Sequence, residues 1–208
     1  MMVINMTNKF LSDDYRIRLR TTMQIYWDQI FMTSSASGNL FKRYKLHPVM
    51  ADLVYRGFSE IDRVNFGSPH IPDYYSVSKG QKWRDLTGNY TRYGDVLPLL
   101  LDSDNKYVIM NAGDEIKLKF DASSLPKIKK GWTRDFLFYN DGWLKDGDLN
   151  TAQGQTVEPL PFHGMESYPY ENRGVLPNDQ FYRNYQEVYN SRVITTDSFK
   201  NYLRDEIK

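Results

Sequence analysis

Between Tyr15 and Phe31 apolar and polar side chains alternate. Ile17, Leu19, Met23, Ile25 and Trp27 share one parity, and Arg16, Arg18, Arg20, Gln24 and Asp28 the other. A period of two in β-branched and aromatic residues predicts a long strand with one buried face, bending near Thr21–Thr22. Glu115–Phe120 repeats the pattern, with Ile116, Leu118 and Phe120 predicted inward. Lys117 and Lys119 point outward, where lysines discourage pairing with another chain. Weaker alternation within Met50–Glu60 predicts a further strand, and the apolar Tyr107–Met110 a short buried one. The aromatic run Thr133–Tyr139 is too short for a helix and rich in β-formers, so a strand is predicted there too.

Turn chemistry separates these runs. Ser34–Asn39, Asp102–Lys106, Asn111–Asp114 and Asn140–Gly142 are polar clusters with the side chains that turns use. Residues 62–90 carry three glycines and two prolines among polar groups, with Phe66, Tyr74, Tyr75, Trp83 and Tyr90 to pack down. They are expected to form a long ordered loop of the kind that often binds ligands. Pro98 argues against a central strand over Val96–Leu101. After Asn150 the chain reads as irregular to about Pro177.

Helical spacing appears only at the end. Asn178–Asp179 offers an N-cap for residues 180–192, with Phe181, Tyr185, Val188 and Tyr189 on one side. Thr196 or Asp197 caps a second helix in which Phe199, Leu203 and Ile207 recur every fourth residue. The expected fold is therefore all-β, a sandwich of jelly-roll or carbohydrate-binding-module type with one or two C-terminal helices. A mixed α+β domain is the competing class. The predicted organisation is a lead-in over 1–13, the β-domain over 14–176 and a helical appendage over 177–208 packed on it.

The 208 residues suffice for one large domain. A net charge of +1 gives no global field toward nucleic acid or anionic membrane, so neither is an expected partner. No apolar run is long enough to span a bilayer, and the N-terminus lacks the pattern of an export signal. The chain is expected to be cytosolic or a piece of a longer protein. With no cysteine, disulfides, thiolate metal sites and cysteine nucleophiles are excluded. Sixteen tyrosines and four tryptophans supply flat amphipathic surface for packing or for ligands.

The densest chemistry lies in Gly131–Asn150, where Trp143, Lys145 and several oxygen ligands crowd together. Asp146, Asp148 and Asn150 match the first three ligand positions of a calcium loop, and Asp141 stands close by. The match then fails, because Thr151 and Val157 occupy the places of the required glycine and bidentate glutamate. A calcium ion held by Asp141, Asp146, Asp148 and Asn150 in a sandwich loop is one reading. A turn in which these side chains bond their own backbone is the other. His47, His70 and His163 lack metal-ligand spacing. His163 stands out, since Phe162, Glu158 and Glu166 are near enough in sequence to tune it. No nucleophile, phosphate-loop or dinucleotide motif is present, so a non-enzymatic role is expected over catalysis. Trp83 and Trp143, with His163, are the expected ligand-binding residues.

The phrases RLRTTMQIYWDQIF, YTRYGDVLPLLLDSDNKYVIMNAGDEIKLKFDA and GWTRDFLFYNDGWLKDGDLNTAQGQTVEPLPFHGMESYPY are similar to a module of large bacterial proteins. From about Tyr15 to Arg192 the chain resembles the C-terminal region of secreted proteins with FG-GAP repeats, an ASPIC/UnbV segment and often tetratricopeptide repeats. That resemblance implies an extracellular or envelope location and neighbouring repeat domains as partners. It carries no catalytic residues across. The expected function is a non-catalytic accessory module binding a carbohydrate or protein. A purely structural linking domain is the alternative, and a carbohydrate-active enzyme stands third.

Overall fold

The structure is a computed structural model that describes residues 4–20, 29–32, 41–62, 65, 67, 71–80, 84–145, 147, 150, 153–170 and 179–206. The chain divides into two compact units, Met1–Phe41 and Lys42–Lys208.

In the first unit the described residues form turns and irregular chain. Lys9 N–H closes a turn on the Met6 carbonyl at 3.0 Å, and Phe10 meets Tyr15 edge to face. The predicted strand is not formed over Tyr15–Arg20 or Gln29–Phe31, and Thr21–Asp28 lie outside the described residues. Ile17 and Leu19 are exposed, as are Arg16, Arg18 and Arg20 beside them, so the alternation over these described residues has no buried face to serve. Without a paired neighbour, alternation alone does not make a strand.

The second unit is mostly β, with seven short strands and two helices among its described residues. The strands are β1 Pro48–Tyr55, β2 Phe58–Asp62, β3 Ile71–Ser78, β4 Gly88–Tyr90, β5 Gly94–Asp95, β6 Asp114–Phe120 and β7 Arg192–Ile194; the helices are α1 Gln180–Tyr189 and α2 Asp197–Glu206. All pairings between strands are antiparallel: a three-stranded sheet in the order β5-β1-β6, a β2–β3 hairpin and a β4–β7 pair. The region expected to be one long loop thus contains β3 and β4.

β1 is central because its period-two pattern buries Ala51 and Leu53 completely. They pack against Val96, Leu99 and Tyr185, with Ile116 and Leu118 of β6 beside them. Lys117 and Lys119 face out as predicted, whereas Phe120 is exposed and meets Phe138 edge to face. Pro98 starts one turn of 3-10 helix, Leu97–Leu99, which suits its fixed φ and missing N–H. Tyr107–Met110 forms no named strand, although Thr91 N–H bonds the Ile109 carbonyl at 2.9 Å.

Helix α1 begins where its cap predicts, with Asp179 accepting from Tyr182 N–H at 2.8 Å. It ends at Tyr189, earlier than the spacing suggested, because Asn190 closes it and the chain turns into β7. Its inward stripe is Tyr182, Tyr185 and Tyr189, while Phe181 and Val188 are exposed. The Tyr185 hydroxyl reaches the Tyr107 carbonyl at 2.7 Å, and Arg92 lies over Tyr189. A tyrosine stripe can bury its rings and still satisfy its hydroxyls.

A second core, Tyr90, Val157 and Leu160, holds residues 155–162 against β4. Thr87 N–H bonds Gln155 O at 3.0 Å, and Val157 N–H returns to Thr87 O at 2.8 Å. Gly88 permits this approach. Its φ is +143°, and a Cβ there would lie 2.9 Å from Val157 Cβ.

Candidate functional site

Three irregular segments converge beside these cores: the 102–107 turn, the 140–145 loop and the chain at 158–163. The turn is set by Asp104, which accepts from Lys106 N–H at 2.8 Å and pairs with its ammonium at 2.9 Å. Lys145 ties the loop down, its Nζ donating to the Val157 and Glu158 carbonyls at 3.0 and 3.1 Å. Burial pulls the Lys145 pKa below its ordinary value, partly opposed by Glu158. Phe162, buried, and Tyr168, bonded to Pro159 O at 2.8 Å, fix the third segment.

His163 sits at the junction. Its backbone N–H donates to Asn105 Oδ1 at 2.8 Å, and its ring Nδ1 lies 3.0 Å from the same oxygen. The ring Nε2 lies 3.1 Å from Asp141 Oδ2. Each ring nitrogen thus lies within hydrogen-bond reach of an oxygen. Ser103 donates its hydroxyl to the same Asp141 oxygen. Ser103 first, and then His163, hold the Asp141 carboxyl below its ordinary pKa.

The Tyr107 ring stacks near the imidazole, centroids 6.1 Å apart and planes 17° from parallel. Its hydroxyl lies 3.4 Å from Nδ1 and also takes a hydrogen bond from the Trp143 indole. Burial raises the Tyr107 pKa, the Trp143 bond opposes it, and Asp141 and Asp104 add to the rise. Trp143 itself is 51 % exposed. The result is a half-open aromatic platform bordered by Asp141, His163, Asn105 and Ser103.

Of the residues nominated from sequence, Asp141, Trp143 and His163 thus share one constellation. Trp83, Asp146 and Asp148 lie outside the described residues, and Asn150 stands in a turn. Among the described residues no group of three or more acidic or histidine side chains is arranged to hold a metal ion. Sequence reasoning missed Ser103, Asn105 and Tyr107: the first two showed only as part of the polar turn Asp102–Lys106, and Tyr107 only as the start of the predicted strand Tyr107–Met110.

The Ser–His–Asp composition does not make a nucleophile. Ser103 and His163 both address Asp141, whereas activation of a serine requires the histidine between the other two. The predicted strand over Thr133–Tyr139 is not formed either. Phe136, Leu137, Phe138 and Tyr139 are between 66 % and 83 % exposed, and no strand among the described residues pairs with them. No described helix is long and apolar enough to cross a membrane. No family model, curated protein or solved structure matches the chain.

Proposed function

We propose that the chain is a non-catalytic accessory module that binds carbohydrate at the Trp143–His163–Asp141 platform. The observation that carries this reading is an exposed indole next to planar polar side chains held in place by their own hydrogen bonds. A sugar presents an apolar C–H face to such a ring, and its hydroxyls exchange hydrogen bonds with carboxylate, amide and imidazole. Side chains fixed in advance lose little entropy when they bind. In this reading the small sheets are layers of a β-sandwich, and the module acts at the cell exterior beside FG-GAP, ASPIC/UnbV or tetratricopeptide repeats. A calcium ion at Asp141, Asp146, Asp148 and Asn150 would order the rim.

The test is a glycan array probed with the whole chain and with Trp143→Ala, in calcium and in chelator. Selective binding that Trp143→Ala abolishes supports the platform, and its loss in chelator supports the ion. The exposed Phe136–Tyr139 run favours a second reading, a structural linking domain whose apolar surface meets its neighbours. An array with no selective binder turns the account to that reading.

A further inference from the structure

The chain that follows β6 carries a charge and apolar pattern that neither the cores nor the platform uses. From Pro126 to Asn140 every residue except Arg134 is exposed. Residues 127–139 hold Lys127, Lys129, Lys130 and Arg134 against one carboxylate, Asp135. Four cations less one anion give +3 locally, in a chain whose total is +1. Among and after these cations stand Ile128, Trp132 and the run Phe136–Tyr139, all exposed. We propose that this segment docks the protein on an anionic phospholipid surface, its aromatic side chains entering the headgroup layer and its lysines meeting the anionic headgroups.

The segment is shaped before any surface meets it. Trp132 N–H bonds the Lys129 carbonyl at 3.0 Å and closes a turn, with Gly131 at φ +81° in its third place. The Arg134 guanidinium donates to the Pro126 carbonyl at 2.5 Å, so Lys127–Thr133 are held as a closed loop. Phe138 rests edge to face on Phe120 at the end of β6, centroids 6.3 Å apart, which anchors the aromatic run. Side chains placed in advance lose less entropy when they dock.

Charge decides between a lipid surface and a protein partner. The cores of protein interfaces are depleted of lysine, whereas Lys127, Lys129 and Lys130 are interleaved with Ile128 and Trp132. None of the three lysines forms an ion pair among the described residues. A bilayer satisfies both kinds of side chain at once. Lysine stems lie along apolar surface while their ammonium groups stay among anionic headgroups, and tryptophan and tyrosine favour the interface itself. The segment is irregular and pairs with no strand among the described residues, so its backbone must stay hydrated. The docking is therefore shallow, and it does not rest on the sugar platform.

The experiment is co-sedimentation of the whole chain with vesicles of phosphatidylcholine alone and of phosphatidylcholine mixed with phosphatidylserine, at low and at high salt. The expected result is binding to the mixed vesicles that high salt weakens. Lys127→Gln, Lys129→Gln and Lys130→Gln together should weaken it by about a hundredfold, about fivefold for each charge. Phe136→Ser with Leu137→Ser should weaken it by about tenfold. Circular dichroism checks that each variant is folded. Trp132 fluorescence, assigned with Trp132→Phe, should shift to the blue on the mixed vesicles. Equal binding to both kinds of vesicle overturns the proposal, as does no binding to either, or undiminished binding by either folded variant. A chain that ignores vesicles and associates with itself through Phe136 and Leu137 overturns it in favour of a protein interface.

Discussion

The Arg192 guanidinium reaches the Asp114 carboxylate at 2.5 Å across 78 residues of sequence, joining the first residue of β7 to the first of β6. The Asp114 side chain is 1 % exposed and that of Arg192 14 %. The pair is well satisfied, since Asn111 N–H also donates to Asp114 Oδ2 at 2.9 Å and Tyr93 to Oδ1 at 2.8 Å. Arg192→Met removes the only cation in this set and leaves a buried carboxylate. A loss of about 3–5 kcal/mol is expected. Urea unfolding should show a lower midpoint with an unchanged slope. Asp114→Asn combined with Arg192→Met should recover part of the loss, because the stranded charge is gone.

Thr91 is fully buried and serves twice. Its hydroxyl accepts from Ile109 N–H at 2.8 Å and donates to Asn190 Oδ1 at 3.1 Å. Thr91→Val keeps the shape and strands both partners, so a cost of about 1–3 kcal/mol is expected. Thr91→Ser should retain most of the stability. Equal losses in the two variants would mean that packing of the methyl group, and not the hydrogen bonds, sets the cost.

The alkaline limb should be governed by a few tyrosines. Burial, and then Asp114, push Tyr93 up to about 12, and burial pushes Tyr90 and Tyr185 higher still. A phenol whose folded pKa exceeds the unfolded value of about 10 contributes stability that is fully present below about pH 10. That stability is lost as pH rises through the folded value. Tyrosinate absorbance should therefore rise in two waves, the second coinciding with loss of the far-ultraviolet signal. One wave with the fold intact would contradict the raised values of these three phenols.

At the acid end Asp141 has the opposite sign. Its carboxyl is held below the ordinary value by Ser103 and His163. Its contribution is present above the unfolded pKa and lost as pH falls through the folded one. Asp141→Asn should therefore lower stability near neutrality and flatten the acid limb below about pH 4. Identical acid limbs in the two proteins would show that the contacts of Asp141 add nothing to folding.

How much of this was legible follows from what each signal measures. β6 could be read because Ile116 and Leu118 face a core while Lys117 and Lys119 do not. α1 could be read because Asp179 caps it within three residues. The 133–139 run looked like a strand because aromatic residues fit half-buried sheets, but that propensity supplies no partner. β4 and β7 were illegible: each has three residues, and Tyr90 finds Arg192 across most of the unit. For the site, Asp141, Trp143 and His163 were visible as chemistry. Ser103, Asn105 and Tyr107 join them only through tertiary packing, with Tyr107 held from behind by Tyr185.

The central claim, one platform built from Trp143 and His163, is tested most directly by nuclear magnetic resonance. The strongest binder from the array is titrated into the labelled chain. The Trp143 indole N–H, assigned among the four tryptophans with Trp143→Phe, and the His163 ring protons are followed together. Both should shift along one saturating curve with a common dissociation constant. Binding that leaves both side chains unshifted, or shifts them with different constants, would contradict the account.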